Sequence, residues 1–441
     1  MAALRAAIAD GRLTSGARLP ASRALAADLG VSRGVVVEAY QRLADEGLVL
    51  GRTGDGTIVT ATRPTARPVR PPAAVPGPPH PAADLDLTPG VPDLSAFPRA
   101  AWLRAERAVL AAATGADLGY GDPRGSPALR AALVAWLARV RGVRAAADDL
   151  IVVAGVAQSL ALLAHTLRAA GRPAVAVEDP GSHGAREELR YWGLRPQPVP
   201  VDTEGVDVAA LAATGAPTAL LTPAHQFPSG VVLSPARRRA LVAWAGAGNL
   251  LIEDDYDAEH RYDRAPVPAV HASVPGHVAY TGSVSKTLAP GMRLGWLLPP
   301  RHLHDDLLAA KYASDLGNPA LPQLVLAHLL TTGEYERHLR RVRTRQRHRR
   351  DALLAALRAH LPAARVAGVA AGLHLLILLP EDGPDDRTLA DRAAAAGVVV
   401  QPLSLHRQRP GPPGLVLGYA AHPPNRLHEA ARRLAAALPR R

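Results

Sequence analysis

The sequence predicts two folded parts, a small helical unit that ends in a hairpin and a large α/β domain built on a largely parallel sheet. At 441 residues the chain is too long for one ordinary hydrophobic core. Residues 61–83 contain eight prolines, three arginines and no acid, which is typical of an extended linker. After them, short apolar runs alternate with helical patterns, as in a parallel sheet covered by helices. We therefore expect domains at 1–60 and 84–441, joined by the linker at 61–83.

The composition narrows the classes of protein to which the chain can belong. It has no cysteine, which excludes disulfides, thiolate metal sites and cysteine nucleophiles. No stretch approaches the roughly 20 apolar residues of a membrane-spanning helix. The opening run MAALRAAIADGRL lacks the apolar core and cleavage site of a secretory signal. We expect a soluble, cytoplasmic protein.

The net charge of +12 suggests a nucleic-acid partner, but its distribution does not locate a binding surface. Residues 1–60 hold seven arginines against six acids. The densest basic run, RHLRRVRTRQRHRR at 337–350, lies far from any DNA-binding pattern. We interpret this run as a solvated helix face or a subunit contact.

The first sixty residues contain two helical patterns separated by a tight turn. Ser22 and Ser32 are candidate N-caps of the two helices, and Gly30 suits a left-handed turn position. The run LVLGRTGDGTIVT then predicts two short strands around Gly54-Asp55-Gly56, a hairpin that would form a wing.

The second of these helices has two distinct faces. Spacing of three and four residues predicts a core face of Val36, Ala39, Tyr40 and Leu43. The opposite side presents Gly34, Val37 and Gln41, with Arg33 at its N-terminal end. A small surface with polar donors and a guanidinium is what a helix needs to enter the major groove of DNA.

The spacing of apolar residues is also compatible with a small helical domain that mediates a protein contact instead of binding DNA. However, the run GARLPASRALAADLGVSRGVVVEAYQRLADEGLV resembles the GntR-type winged helix over nearly its whole length. That resemblance implies a winged helix-turn-helix that binds double-stranded DNA. The residues that it implies as DNA contacts are Arg23, Ser32, Arg33 and Val37, with Arg52 and Gly56 near the wing.

The strongest chemical signal is SVSKTLAPGMRLGW at 283–296. A lysine that forms a Schiff base with pyridoxal phosphate needs phosphate-binding groups beside it, and Ser283, Ser285 and Arg293 flank Lys286. The chain has 49 arginines and only two lysines, and arginine cannot form this imine at ordinary pH. The other lysine, Lys311, lies in a helical pattern without such neighbours, and we predict it to be a surface residue.

Thirty residues upstream, LLIEDDYDAEHRYD places acids and a tyrosine after an apolar strand, where ligands bind in open α/β sheets. A carboxylate there can keep the cofactor's pyridine nitrogen protonated, and a tyrosine can bond its ring hydroxyl. The alternative is a magnesium-binding cluster. That cluster would use Glu253, Asp254, Asp255 and Asp257.

The motifs EDDYDAEHRYD, TPAHQFPSG and SKTLAPGMRLGW resemble those of MocR-type regulators of the GabR-like group, in the same order. The resemblance implies a fold type I aminotransferase-like domain with a smaller C-terminal α/β subdomain, a homodimer and pyridoxal 5'-phosphate. It also implies a Schiff base at Lys286, a pyridine-nitrogen contact from Asp254 rather than Asp255, and a ring-hydroxyl contact from Tyr256. The remaining implied contacts are the phosphate on the backbone amides of Val156 and Ala157, and Tyr120 reaching the partner subunit's cofactor.

Two departures from the family pattern affect the ligand. In EDPGSHGAR the family has an aromatic residue directly after the glycine, where this chain has Ser182, with His183 as a possible substitute. The run GPPGLVLGYA lacks the arginine with which many relatives bind a substrate carboxylate, and Arg407 and Arg409 lie in the loop before it. The effector is then not an ordinary α-amino acid, or a loop arginine folds over it.

The leading hypothesis is a transcription regulator that senses pyridoxal phosphate, an amine effector, or both through the Lys286 aldimine, with little or no turnover. One alternative is a working aminotransferase with an appended DNA-binding domain. The other is a plain GntR-type repressor without cofactor, which the motifs around Lys286 and Asp254 disfavour.

Overall fold

The computed structural model describes residues 1–52, 56–60, 84–262, 267–368 and 371–437. The chain divides into two compact units, one within Met1–Pro79 and one within His80–Arg441. In these described ranges no helix is both long and apolar enough to cross a bilayer. The proline-rich segment at 61–83 lies outside the described residues.

The N-terminal unit consists of helices followed by a hairpin. Its helices are α1 (Ala2–Ala9), α2 (Ser22–Leu29) and α3 (Arg33–Asp45), and its strands are β1 (Val49–Arg52) and β2 (Gly56–Val59). The strands pair antiparallel, with Arg52 opposite Gly56 at the end where the chain connects them and Val49 opposite Val59 at the open end. The predicted hairpin is therefore present, although Gly54 and Asp55 lie outside the described residues.

The helix boundaries in this unit confirm one capping prediction and correct another. Gly30 ends α2 in the left-handed conformation, with φ 63°, as predicted. The prediction that Ser22 caps α2 is wrong, because Ser22 is already the first helical residue and Ala21 holds the cap position. Ser32 does hold the cap position of α3, but its side chain makes no capping hydrogen bond.

The predicted core face of α3 packs inward. Val36, Tyr40 and Leu43 are buried, and Ala39 is half-buried. They pack with Ile8, Leu19 and Ala26 and with the hairpin residues Val49 and Val59.

The large unit alternates strands and helices. Its strands are β3 (Leu85–Asp86), β4 (Ile151–Val153), β5 (Ala174–Asp179), β6 (Arg195–Asp202), β7 (Gly205–Val206), β8 (Thr218–Leu221), β9 (Leu250–Asp254), β10 (Val278–Ser283), β11 (Gly295–Leu298), β12 (Arg365–Ala367), β13 (His374–Leu378), β14 (Val398–Val399), β15 (Gln401–Pro402) and β16 (Gly414–Gly418). Its helices are α4 (Arg99–Ala112), α5 (Pro127–Arg141), α6 (Val156–Ala169), α7 (His183–Tyr191), α8 (Val208–Ala213), α9 (Pro235–Gly246), α10 (Arg301–Asp315), α11 (Ala320–Thr331), α12 (Glu334–His360), α13 (Asp386–Ala395) and α14 (Pro424–Ala437).

The main sheet of the described residues has eight strands in the order β4-β11-β10-β9-β8-β5-β6-β7. Its centre, from β10 through β9, β8 and β5 to β6, is parallel, and β4, β11 and β7 join antiparallel at its two ends. The central strands β8 and β10 are buried along their whole length because helices cover both faces. The predicted largely parallel sheet is confirmed.

A second, four-stranded antiparallel sheet in the order β12-β13-β16-β15 belongs to the C-terminal part of the chain. It packs with α13, α14 and the last turns of α12 around its own apolar core, which includes Leu353, Leu375, Leu417 and Leu427. Leu85 and Leu87 from the start of the large unit join this core. The smaller C-terminal α/β subdomain is thus present.

Candidate cofactor and DNA-binding sites

The carboxyl ends of β8, β9 and β10 lie side by side because these three strands are parallel neighbours. This edge of an open α/β sheet is where ligands bind. Thr222 and Lys286 follow β8 and β10, and Asp254 is the last residue of β9. The topology therefore brings together residues that are more than sixty positions apart in the sequence.

Lys286 points into this edge of the sheet. Its Nζ donates to the carbonyl oxygen of Gly90 at 2.6 Å. Burial lowers the pKa of Lys286, and the carboxylates of Asp254 and Asp257 oppose that shift. Gly90 has φ 86°, and a Cβ there would lie 3.2 Å from the lysine nitrogen, so the position favours glycine. A lysine with a lowered pKa is a better nucleophile toward an aldehyde.

Asp254 has a buried oxygen, Oδ1, without a hydrogen-bond partner among the described residues. Burial raises the pKa of this carboxyl group to about 7, the charge of Asp255 adds to the rise, and Lys286 opposes it. Buried polar atoms almost always have partners, so an unpaired one calls for a donor from outside the chain. A protonated pyridine nitrogen is such a donor.

Asp255 points away from this cleft, as the alternation along a strand predicts. Its carboxylate accepts a hydrogen bond from Arg141 Nε at 2.6 Å, and both side chains are almost fully buried. The alternative of one magnesium cluster loses support, because Glu253 accepts from the backbone amides of Val270 and His271 and Asp257 contacts His225. Three of the four acids thus have separate partners, and Asp254 Oδ1 has none among the described residues.

Helix α6 presents its N-terminus to the same edge. Its first residues are Val156 and Ala157, and the opening N–H groups of a helix have no acceptor within the helix. The preceding Gly155 has φ 92°, and a Cβ there would lie 3.4 Å from Arg293 Nη1, so the guanidinium covers this turn. A helix N-terminus beside a guanidinium suits a phosphate dianion.

Of the two predicted serines, Ser283 ends β10 and Ser285 lies between β10 and Lys286. The hydroxyl of Ser283 accepts from the backbone N–H of Ser285 at 3.3 Å, which tightens the turn. With α6 at one end, Asp254 at the other and Lys286 between them, these residues fit pyridoxal phosphate. When bound, that cofactor supplies an aldehyde carbon that exchanges between amines.

Tyr256, the predicted ring-hydroxyl contact, lies beside a histidine that the sequence analysis did not select. Its Oη is 3.1 Å from His225 Nδ1, and the same nitrogen is 2.8 Å from Asp257 Oδ2. His225 belongs to the motif TPAHQFPSG, so the motif was visible in the sequence but the contact was not. Glu178 was also missed, and its Oε2 accepts from Thr222 Oγ1 at 2.6 Å.

In the N-terminal unit, the predicted DNA-contacting residues are on the surface. Arg23, Ser32, Arg33 and Val37 are exposed on or beside α2 and α3, and Arg52 and Gly56 are exposed on the hairpin. Arg33 Nε lies 3.5 Å from Ser22 Oγ, a long contact that leaves most of the guanidinium accessible. The geometry provides an exposed recognition helix and an adjacent wing.

Comparisons with known proteins agree with both descriptions. Residues 1–59 match the family of bacterial regulatory proteins of the gntR family, and residues 84–434 match aminotransferase class I and II. The pyridoxine biosynthesis transcriptional regulator PdxR of Corynebacterium glutamicum is 34% identical over 95% of this chain and 90% of its own length. The probable rhizopine catabolism regulatory protein MocR of Rhizobium meliloti is 32% identical over 99% of this chain and 92% of its own. The chain belongs to the MocR-type transcription regulators.

Among solved structures, the large unit of this MocR-type regulator is similar to aminotransferases. The kynurenine aminotransferase of Pyrococcus horikoshii, in complex with PMP, has a TM-score of 0.73 and 26% identity over 80% of this chain and 90% of its own. The α-aminoadipate aminotransferase LysN of Thermus thermophilus has a TM-score of 0.72 and 28% identity over 80% of this chain and 92% of its own. The protein is therefore a DNA-binding, pyridoxal-phosphate-dependent regulator with a fold type I aminotransferase-like domain.

The regulator differs from the expected pattern on the ligand side of the cleft. The hydroxyl of Ser182 caps α7 by accepting from Ala185 N at 3.2 Å, and His183 Nδ1 lies 3.0 Å from Arg186 Nη2. Arg409 is held by Asp179, with Nε 3.3 Å from Oδ2. Arg407 is half-buried, and its Nη1 lacks a partner among the described residues.

The prediction that Lys311 is a surface residue is wrong. Its side chain is fully buried on the inner face of α10, and its Nζ bonds both oxygens of Asp315 at 2.9 and 2.8 Å. Asp315 also accepts from Gln158 Nε2 at 2.7 Å, and Gln158 Oε1 accepts from Ala154 N at 2.7 Å. Through Asp315 and Gln158, the lysine therefore supports the turn that begins α6. The helical pattern alone did not reveal that Asp315, one turn further along α10, is the partner of the buried ammonium group.

We expect Lys311→Met to weaken cofactor binding about tenfold, a loss of about 1.4 kcal/mol. Without the ammonium group, the charge of Asp315 is uncompensated near the N-terminus of α6 and disfavours a phosphate dianion. Spectroscopic titration with pyridoxal phosphate measures the change. The matched control is Asp305→Ala, a fully exposed acid on the same helix. Unchanged affinity in Lys311→Met would refute the supporting role.

Proposed function

We propose that this regulator uses pyridoxal phosphate as a sensor: occupancy of the Lys286 site by cofactor, and exchange with an amine effector, changes how the protein binds its DNA operator. The observation that carries the proposal is a half-buried lysine, Lys286, at the same sheet edge as Asp254, whose buried Oδ1 has no hydrogen-bond partner among the described residues, in a chain that also contains a winged helix. A ligand shifts such an equilibrium only through different affinities for two states of the protein.

The second candidate is a working aminotransferase, which the 26% and 28% identical aminotransferase structures favour. Three features support the sensor instead. Ser182 caps a helix where relatives of the fold stack a ring on the cofactor. The strand β16 has the sequence GLVLG, without a carboxylate-binding arginine, and Arg409 is engaged by Asp179.

The same features bear on the class of effector. Strand β16 offers a free α-carboxylate no guanidinium and Arg409 is held by Asp179, whereas Arg407 Nη1 has no partner among the described residues. We propose that the effector is pyridoxal phosphate itself, an amine, or both. The similarity to a regulator named for pyridoxine biosynthesis supports the first of these.

We also propose a homodimer located in the cytoplasm. Tyr120 is 93% exposed, and Leu118 and Leu316 are exposed around the same cavity, which has a volume of about 470 Å³. A phenol ring and two leucines at such a surface suit a subunit contact through which Tyr120 reaches the partner's cofactor. A second subunit would also provide the second winged helix that a paired operator requires.

Sedimentation velocity of the cofactor-loaded protein at micromolar concentration is expected to give a dimer. Tyr120→Arg, which places a charge on the proposed contact, should shift the distribution toward the monomer, whereas Tyr191→Arg, at an exposed tyrosine on α7, should not. A cofactor-loaded wild type that sediments only as a monomer would contradict the proposal.

We expect Arg33→Ala to weaken operator binding by about 1–3 kcal/mol, the value of a bidentate arginine contact to guanine. Cofactor content should stay the same, because the residue belongs to the other folded unit. A gel-shift titration with an absorbance spectrum of the same sample tests both points, and Arg12→Ala, outside the predicted DNA-contacting residues, is the control. Operator binding that survives Arg33→Ala, Arg23→Ala and their combination would exclude this DNA-reading surface.

We expect Lys286→Ala to abolish the visible absorbance of the bound cofactor and the response of DNA binding to cofactor or amine, while operator binding itself persists. The fold should survive, because the change deletes a reactive side chain rather than a core one. DNA-binding titrations with and without pyridoxal phosphate, beside a transamination assay, measure this. A normal response in Lys286→Ala, or wild-type transamination near the median enzyme rate of about 10 per second, would reject the sensor.

A further inference from the structure

One ring nitrogen in the cofactor cleft faces two oxygens. His225 is 3% exposed, and its Nδ1 lies 2.8 Å from Asp257 Oδ2 and 3.1 Å from Tyr256 Oη. A neutral imidazole nitrogen either donates a proton or accepts one, and it cannot do both. The proton on Nδ1 therefore decides what the tyrosine hydroxyl can do.

The carboxylate determines where that proton lies. Burial raises the pKa of Asp257, but His225, followed by His374 and His260, outweighs burial and holds that pKa below its ordinary value. An ionised carboxylate only accepts hydrogen bonds. If Nδ1 lacked a proton, its lone pair would face a carboxylate lone pair at 2.8 Å in a buried site. Nδ1 must therefore donate to Asp257, whether the ring is neutral or cationic.

A donating Nδ1 cannot accept the hydroxyl proton of Tyr256. Burial, together with Asp257, raises the pKa of Tyr256 well above its ordinary value, so the hydroxyl keeps this proton. We propose that Asp257 fixes His225 with its proton on Nδ1, and that this reserves the Tyr256 hydroxyl as a donor to the anionic ring oxygen of bound pyridoxal phosphate. His225 and Asp257 are then positioning residues that act through Tyr256.

The packing around the pair keeps this arrangement in place. Gly372, with φ 78°, approaches so closely that a Cβ there would overlap the His225 ring. The ring of His374 is 5.5 Å away, and its Nε2 pairs with the carbonyl of Pro228 at 3.1 Å. His260 Nε2 pairs with the carbonyl of Lys286 at 3.2 Å.

The neighbouring histidines do not supply a competing proton. Burial lowers the pKa of His374 and of His260 to about 4, so both are neutral near neutral pH. The charged or titratable groups that act on Tyr256 and Asp257 through their fields are Asp254, Glu178, His225, His260 and His374.

The inference rests on cofactor binding as proposed above, and a pH titration of the bound chromophore tests it. The tyrosine donor stabilises the ring oxygen most when the chromophore has lost its proton. Tyr256→Phe should therefore raise the pH midpoint of the colour change by about one unit.

Asp257→Leu removes both the charge and the hydrogen-bond acceptor, and it separates the two roles that the carboxylate could have. If Asp257 acts only as a negative charge, its removal destabilises the protonated chromophore and lowers the midpoint. If it fixes the tautomer, its removal lets Tyr256 donate to His225, and the midpoint rises by up to about one unit. A rise supports the proposal, and a fall or no change overturns it.

In the Tyr256→Phe background, Asp257→Leu should no longer raise the midpoint, because there is no hydroxyl to redirect. A further rise in the double variant would overturn the proposal. The control for loss of a buried charge is Asp386→Asn, at a buried carboxylate of the C-terminal subdomain that accepts from Ser404 N and Gly414 N. An asparagine oxygen can still accept both bonds, and the midpoint should stay unchanged.

A second measurement does not depend on the cofactor. In wild-type protein with ¹⁵N-labelled histidine, the shifts of His225, assigned by their loss in His225→Gln, should show a protonated Nδ1. A proton on Nε2 alone would overturn the inference. If pyridoxal phosphate gives the wild type no visible absorbance, the proposed function fails, and the NMR result still tests the tautomer.

Discussion

The buried ion pair between Arg141 and Asp255 sets the geometry on which the cofactor cleft depends. Arg141 ends α5, and its Nε reaches Asp255 Oδ2 at 2.6 Å; Tyr280 donates to the same carboxylate, and Asp255 N donates to Thr281 O at 2.9 Å. Successive residues of an extended chain point to opposite sides. Because Asp255 is fixed on the far side of the sheet, the side chain of Asp254 points into the cleft. Loss of one partner would leave an uncompensated buried charge, at a cost of about 3–5 kcal/mol.

Burial makes the cleft sensitive to what binds there. It raises the pKa of both Asp254 and Glu178 to about 7, so their protonation near neutral pH depends on the nearest donor or cation. It also lowers the pKa of Lys286, which increases the fraction of neutral amine. Groups arranged in this way change their protonation state when a charged ring binds beside them, which is useful in a sensor as well as in a catalyst.

Of the two lysines in a chain with 49 arginines, Lys311 is fully buried and Lys286 is half-buried. Lys286 has a chemical requirement, because a guanidinium does not form an imine at ordinary pH. At position 311 the requirement for lysine is geometric, because a compact ammonium group reaches both oxygens of Asp315 in a fully enclosed position. Composition pointed to the first residue, whereas the helical pattern around the second misled, because it did not show that the side chain is buried against Asp315.

The sequence by itself determined the classes of structure and the chemistry. Apolar runs and proline composition predicted the parallel sheet and the boundary of the winged helix, because these depend on local patterns. The SVSKTLAPGMRLGW motif identified Lys286 and Arg293, since phosphate and imine chemistry require particular residue types. Only the tertiary structure showed that the carbonyl of Gly90 accepts a hydrogen bond from Lys286 and that His225 contacts both Tyr256 and Asp257. It also showed that Lys311 supports the start of α6 through Asp315. These contacts join segments from separate strands and helices, and their distances depend on packing that no local pattern specifies.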